Sequence, residues 1–92
     1  MTSKAFYTQL AKGVLSERIQ AARSGHPDVA EILAKLATDE HPAVRQTVAE
    51  NPSTPPEILA LLTADEEFMV RRAVLKNPSC PGYIKFLADL ES

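Results

Sequence analysis

The sequence predicts an all-α protein, a short right-handed α-solenoid of stacked antiparallel helix pairs. Two observations predict this fold: the chain matches itself at an offset of 26 residues, and each unit of that length contains two helical patterns. The clearest self-match is Asn51-Pro52-Ser53, which recurs as Asn77-Pro78-Ser79. Three apolar columns keep the same register, and they consist of Phe6, Ile32, Ile58 and Ile84, then Leu10, Leu36, Leu62 and Ala88, then Ala22, Val48 and Val74.

The period divides residues 1–92 into about three and a half units of one domain. A degenerate first unit covers 1–27, two well-preserved units cover 28–53 and 54–79, and a C-terminal half-unit covers 80–92. Helices are predicted at roughly 3–12, 14–24, 28–38, 42–50, 55–65, 67–76 and 81–90. The connecting loops are short, so successive helices must be antiparallel neighbours, and each unit covers the apolar face of the next.

Capping signals set the predicted helix boundaries. Thr54-Pro55-Pro56-Glu57 places a capping hydroxyl before a proline at the first helical position, with Glu three residues after the Thr. Asp28 begins the same capping box one unit earlier. Asn51 and Asn77 stand where the shorter helices should end, because Asn tolerates the left-handed conformation and the proline after it cannot continue a helix.

The text from Val44 to Pro55, and a second stretch from Val70 to Pro81, resemble the leucine-rich repeat variant family, a relative of HEAT repeats. The resemblance covers about 28–82 and is weaker, though in phase, outside it. It implies that one helix of each pair is short or of the 3₁₀ type, and that the repeats serve interaction or structure. One family member adds a Cys-rich iron–sulfur segment, from which this chain departs, because its single cysteine, Cys80, cannot hold a cluster.

The resemblance also implies a ladder of ion pairs. In HEAT-like units, Asp and Arg six residues apart typically bridge adjacent repeats in a buried or half-buried ladder. The positions with this spacing here are Asp39, Arg45, Asp65 and Arg71. Gly13 and Ile19 hold the corresponding positions of the first unit, so both partners are missing together there. An isolated buried charge is costly, and a joint loss therefore favours pairing.

The residues that could carry catalysis or bind a metal are scattered. His26 and His41 lie in loops of different units, and each precedes a proline. Cys80 occupies the position that Thr54 holds one unit earlier, where it is a weak cap or, alternatively, a reactive thiol, because a helix N-terminus can lower a thiol pKa. The sequence predicts no catalytic residue, no metal ligand, no cofactor and no enzymatic activity.

Composition and charge narrow the class of partner and the location. The net charge is −2, whereas nucleic-acid modules usually show a basic excess. No apolar run approaches the ~20 residues that a membrane span requires. Residues 1–10 contain no continuous apolar stretch of the kind found in signal peptides. We therefore expect a cytoplasmic protein that makes no membrane contact, with nucleic acid as an improbable partner.

The function that these features predict is a non-enzymatic protein–protein interaction or scaffold module with an unnamed protein partner. The candidate interaction surface consists of Arg72, Lys76, Tyr83, Phe86 and Leu90. No further unit covers the last predicted helix, so self-association through it, or docking onto a longer partner, is expected. Its apolar residues either form a contact surface or pack inward around the small Ala88.

The alternative function is a helical-repeat protein that binds nucleic acid through Arg72, Lys76 and Lys85. In that case Arg45 and Arg71 would contact phosphates as well, instead of carboxylates of the ladder. The ladder is the preferred interpretation for these two residues, because a buried guanidinium requires a carboxylate.

Overall fold

The computed structural model describes residues 3–25 and 29–91, and it gives no side-chain surroundings for Ser3, Lys4, Ala88, Asp89 and Glu91. Within this part of the chain all regular secondary structure is helical. The helices are α1 (Ser3–Ala11), α2 (Leu15–Ala22), α3 (Ala30–Leu36), α4 (Pro42–Glu50), α5 (Pro56–Leu62), α6 (Phe68–Lys76) and α7 (Gly82–Glu91). The all-α prediction is confirmed. Among the described residues, no helix combines the length and the apolar character needed to cross a bilayer.

Three helices that correspond at the 26-residue offset, α2, α4 and α6, pack side by side. α2 packs against α4 and α4 against α6, so these three helices form a row, and α1, α3 and α5 lie alongside it. The molecule extends 45 × 23 × 14 Å along its principal axes. The core side chains that solvent does not reach are small or branched, and they are Ala21, Ala22, Val44, Val48, Ala49, Leu59, Val70 and Val74. Small residues let the backbones of neighbouring helices approach closely, which the row requires.

The relative lengths of the helices differ from the prediction. α4 and α6, expected to be the short or 3₁₀ members of their pairs, are regular α-helices of nine residues. α3 and α5, expected over 28–38 and 55–65, have seven residues each. The N–H groups of Thr63, Ala64 and Asp65 bond to carbonyls three residues earlier. These 3₁₀-type turns end α5, and similar ones end α3, whereas α4 and α6 each end in a single bond of this type, from Asn51 to Val48 and from Asn77 to Val74.

Asn51 and Asn77 do not adopt the left-handed conformation that was expected, since their φ angles are −77° and −72°. Both side chains are buried instead. The Oδ1 atom of each accepts the backbone N–H of the serine two residues later, Ser53 or Ser79, at 2.8 Å. The asparagine therefore closes its own turn through the side-chain oxygen and leaves its NH₂ group free to bond elsewhere.

The NH₂ group of each asparagine ties one helix of the row to the previous one. Nδ2 of Asn51 donates to the carbonyls of Ala22 and Ser24 at 2.9 and 2.7 Å. Nδ2 of Asn77 donates to the carbonyls of Ala49 and Asn51 at 2.7 and 2.9 Å. The acceptors lie at the C-terminal ends of α2 and α4, where helix carbonyls have no intrahelical donor. The Asn-Pro-Ser motif is therefore a tie between successive members of the row.

The capping box predicted at Thr54 is wrong. Its hydroxyl donates to the carbonyl of Val48 at 2.7 Å, and Thr54 is buried. The N-cap of α5 is Pro55, and no side chain caps that helix end. Val48 is buried at the end of α4, so its carbonyl bonds to a protein donor. The Thr54 hydroxyl, which was predicted to cap α5, is that donor. The corresponding expectation for Asp28 lies outside the described residues.

Asn77→Ala should lower the free energy of unfolding by about 2–3 kcal/mol, because the buried Ala49 carbonyl loses its donor, the Asn51 carbonyl keeps only the Thr54 N–H, and the Ser79 N–H loses its acceptor. Urea denaturation followed by circular dichroism measures the loss. Gln46→Ala is the control, since the Gln46 amide bonds to Glu50 on the surface of α4 and its removal should cost about 0.5 kcal/mol or less. Equal losses in the two variants would show that the Asn77 amide is not a structural tie.

Candidate interaction surface

A bidentate ion pair joins α4 to the loop between α5 and α6. Nε of Arg45 donates to Oδ2 of Asp65 at 2.8 Å, and Nη2 donates to Oδ1 at 3.3 Å. The two side chains are only 11% and 7% exposed. Nη1 of Arg45 donates to the backbone carbonyls of Asp39 and Glu40 at 2.7 and 3.2 Å. One guanidinium therefore holds the loop before its own helix and the corresponding loop 26 residues later.

The two aspartates also shape the loops in which they lie. Oδ2 of Asp39 accepts the N–H of His41, and Oδ1 of Asp65 accepts the N–H of Glu67, both at 2.9 Å. His41 and Glu67 are the N-cap residues of α4 and α6. Each carboxylate thus orders the chain that enters the next helix while it faces an arginine.

Burial and pairing act in opposite directions on the acid–base behaviour of this ion pair. Burial alone would raise the pKa of Asp65, but the Arg45 hydrogen bond, the Glu67 N–H and the charges of Arg45 and Arg71 hold it below its ordinary value. The hydrogen bond to Asp65 raises the pKa of Arg45, although burial opposes this. Both groups are therefore charged in the folded protein at neutral pH.

Asp39 has an arginine partner that the sequence analysis missed. Nε of Arg18 lies 3.1 Å from Oδ1 of Asp39, and Nη1 of Arg18 donates to the carbonyl of Gly13 at 3.3 Å. The Nε–H does not point at an acceptor, so this pair is less well aligned than that of Arg45. The inference that the first unit lacks both members of the ion pair was wrong, because it lacks the aspartate but has an arginine, Arg18. Arg18 precedes Ile19, the residue that corresponds to Arg45, and it contacts the Asp39 carboxylate as Arg45 contacts that of Asp65.

Arg71 is held in a similar way, but Asp65 is not its ion-pair partner. Nη1 of Arg71 donates to the backbone carbonyl of Asp65 at 2.6 Å. The guanidinium carbon lies 5.8 Å from the centre of the Phe68 ring, within the range of a cation–π contact. The six-residue spacing of Asp and Arg is thus a backbone tie within one loop. The ion pair instead joins an arginine to the aspartate about 20 residues later.

The residues considered for catalysis or metal binding have local structural roles. Nδ1 of His41 accepts the N–H of Ala43 at 3.1 Å and caps α4. His26 lies outside the described residues. Cys80 is buried, and burial raises the pKa of its thiol, which opposes the reactive-thiol alternative. No group of three or more His, Cys, Asp or Glu side chains in residues 3–25 and 29–91 could hold a metal ion.

The residues of the predicted interaction surface lie on α6 and α7. Arg72 and Lys76 are exposed one turn apart on α6, and Lys85 is exposed on α7. The large apolar side chains of α7 do not pack inward: Tyr83, Phe86, Leu87 and Leu90 are between 54% and 67% exposed. They follow the spacing i, i+3, i+4, i+7 and so share one face of the helix, which we name the apolar stripe. Ile84, on another face of α7, enters the core.

The sequence analysis also missed two exposed apolar residues on α6, Phe68 and Met69. Pro42 and Ala43 hold the corresponding positions on α4. The replacement of small residues by large apolar ones at matched positions was visible in the 26-residue register, and it marks the part of α6 that differs from α4.

One protein family matches part of the chain that contains these ties. Residues 42–67 match the family described as leucine rich repeat variant. This stretch is similar in length and sequence to one unit of that family. The predicted family is confirmed, over a narrower stretch than 28–82. The matched stretch is as long as the period of the self-match, and it contains Arg45, Asn51 and Asp65. No curated protein and no solved structure matches the chain.

Within this repeat unit, Arg45→Ala should lower the free energy of unfolding by about 3–5 kcal/mol, because it leaves the buried Asp65 carboxylate unpaired. A double-mutant cycle with Asp65→Ala, measured by urea denaturation, should show a combined loss smaller than the sum by at least about 1 kcal/mol. The comparison pair is Arg71→Ala with Asp65→Ala, which should couple more weakly because Arg71 bonds to the Asp65 backbone. Additive losses for Arg45 and Asp65 would contradict the pairing.

The ion pair should also weaken in acid. Because the pKa of Asp65 is lower in the folded state, its contribution is complete above the unfolded-state pKa of about 3.9 and is lost as the pH falls through the folded-state value. The stability difference between the wild type and Asp65→Asn should therefore stay constant from about pH 5 to 7 and shrink below about pH 4. Urea denaturation across this range tests the expectation, and a difference that grows in acid would refute it.

Proposed function

We propose that this protein is a non-enzymatic protein–protein interaction or scaffold module, built as a short right-handed α-solenoid of about three and a half repeat units. The units would cover 1–27, 28–53, 54–79 and 80–92. The leucine rich repeat variant match supports a helical-repeat module. The asparagine ties of Asn51 and Asn77 support the stacking, because they repeat the same contact at the 26-residue offset.

The observation that carries the interaction function is the apolar stripe of α7. Tyr83, Phe86, Leu87 and Leu90 are each more than half exposed and lie on one face. Single exposed apolar residues are ordinary on protein surfaces, but a contiguous set on one helix marks a contact site. Burying a large apolar side chain contributes about 1.5–3 kcal/mol, so covering this face provides a substantial driving force for association.

The partner that this face fits best is a second copy of α7 in antiparallel orientation. Under a two-fold axis between residues 86 and 87, Phe86 would face Leu87 of the other copy, and Tyr83 would face Leu90. The stripe is therefore self-complementary. Four side chains cover less than the ~800 Å² per partner of a standard interface, so we expect a dimer that dissociates in the micromolar range.

The nucleic-acid alternative would use the exposed cations Arg72, Lys76 and Lys85. The exposed acids Glu66 and Glu67 come just before α6, and the net charge of −2 offers no general attraction for phosphates. Protein binding therefore remains the proposed function, with cytoplasmic location as its setting.

Phe86→Asp should convert the dimer to a monomer in sedimentation velocity while leaving the helix content and the melting temperature nearly unchanged. The introduced carboxylate would be buried without a partner in the interface, whereas in the monomer it would be solvated at a position that is 62% exposed.

Leu61→Asp on α5 is the matched control, because Leu61 is 56% exposed and occupies the position that corresponds to Leu87. It should leave the dimer intact. Unfolding of the Phe86→Asp variant would place Phe86 in the core, and a wild type that is monomeric at millimolar concentration would end the case for self-association.

A further inference from the structure

The face of α6 that points away from α4 has no partner among the described residues. α4 lies between α2 and α6, and its side chains Ala43 and Gln46 are half-buried. The residues at the corresponding positions of α6, Met69 and Arg72, are exposed. The difference at matched positions shows where a further helix would lie if the row continued.

This face contains an arginine whose hydrogen-bonding groups are only partly used. In Arg45, Nη1 is anchored on the preceding loop, and the edge formed by Nε and Nη2 grips the Asp65 carboxylate. Arg71 has the same anchor, from Nη1 to the Asp65 carbonyl. Its Nε and Nη2 have no acceptor in the described part of the chain. The anchor and the Phe68 ring hold the guanidinium in place, so a carboxylate could bind with little loss of side-chain entropy.

The carbonyls at the C-terminal end of α6 have fewer donors than those at the end of α4. The carbonyls of Ala49 and Asn51 at the end of α4 accept the Asn77 amide. The corresponding carbonyls at the end of α6 belong to Leu75 and Asn77. The Asn77 carbonyl accepts the Cys80 N–H, and no described side-chain amide donates to either carbonyl. A ligand that completed both interactions would need a carboxylate for Arg71 and a hydrogen-bond donor about one helix length away.

A second copy stacked head to tail would present different groups, because its Glu17 carboxylate, which lies beside Gly13, already accepts the Val14 N–H. Its first unit has Gly13 at the carboxylate position and Gly25 at the amide position. Its residues 1–27 contain four Lys and Arg residues and one acid, Glu17, so they would repel a face that carries Arg71, Arg72 and Lys76. The three cations of this face outnumber the two acids just before α6, Glu66 and Glu67, and so complement an acidic partner at short range.

We propose that the open face of α6, formed by Met69, Arg71, Arg72 and Lys76, binds an acidic amphipathic helix of a different protein. An Asp or Glu that precedes this helix occupies the Nε–Nη2 edge of Arg71 as Asp65 occupies that of Arg45. The proposal rests on the interaction function above and names a second surface and its ligand class. It does not involve the apolar stripe.

The probe is a synthetic peptide with the sequence of residues 37–53, which contains the Asp39 loop and α4 and has a net charge of −2 with its ends blocked. Isolated helices of this length are marginal in water, so binding in the high micromolar to millimolar range is expected. Titration into the ¹⁵N-labelled 92-residue chain should shift the Arg71 Nε–H and the α6 amide signals saturably. Asp39→Asn in the peptide should weaken binding at least about tenfold, as expected when a charge-assisted hydrogen bond is lost.

Arg71→Gln in the protein should weaken binding by a similar factor, and Arg23→Gln is its matched control, because it removes the same charge from an exposed position on α2's C-terminal cap. The control should change the affinity less than about twofold, because salt screens the interaction between the exposed Arg23 charge and a ligand bound at α6. If Arg71→Gln unfolds the chain, the peptide variant decides alone.

Equal weakening by Arg23→Gln and Arg71→Gln would reduce the effect to general charge attraction and overturn the proposal. So would the absence of saturable shifts on α6, an undiminished affinity of the Asp39→Asn peptide, or shifts that follow the protein's own concentration, which would assign the face to a second copy. Sedimentation of Phe86→Asp is independent of these outcomes, so the two proposals can fail separately.

Discussion

Backbone carbonyls at the C-terminal ends of α2 and α4 belong to buried residues. The structure depends on side-chain donors that lie 26 to 29 residues later in the chain. Asn51 and Asn77 provide these donors, and the Thr54 hydroxyl donates locally to the Val48 carbonyl at the end of α4. A buried unsatisfied carbonyl costs about 1–3 kcal/mol, so this requirement selects asparagine at the turn more strongly than local conformation does. The same side chain closes its own turn through Oδ1, and the two tasks together explain the Asn-Pro-Ser motif.

The arginines make a second set of ties at the N-terminal ends of α2, α4 and α6, where the loops enter these helices. Each of Arg18, Arg45 and Arg71 donates to the loop just before its own helix, and the first two reach a carboxylate in the next loop. Because the anchor does not depend on the forward carboxylate, the guanidinium of Arg71 is already oriented before a ligand arrives. The same tie that joins successive loops at Arg18 and Arg45 lacks its carboxylate at Arg71 among the described residues, which is why we propose a partner's carboxylate there.

Local pattern predicted the helices well and their connections poorly. Apolar spacing located all seven helices to within a few residues, because burial of one face repeats every turn along the helix. Spacing alone could not show that Asp65 pairs with Arg45 and not with Arg71, since both arginines lie near it and the choice depends on the packing of α4 against the next loop. It also could not find Arg18, which lies one residue before the position that corresponds to Arg45. The long, flexible arginine side chain still reaches Asp39 from there.

The sequence by itself determined the class of fold, the period of the repeat and the apolar columns, because periodic burial leaves its record in residue order. It also identified Tyr83, Phe86 and Leu90 as residues without an evident cover. Only the tertiary structure decided that these side chains face solvent while Ile84 is buried in the core, and that Asn51 and Asn77 bond to the previous helix of the row. Those outcomes depend on which polar groups are buried away from water and on which donor lies nearest to them in space. Both are decided by contacts between residues more than 20 positions apart in the chain.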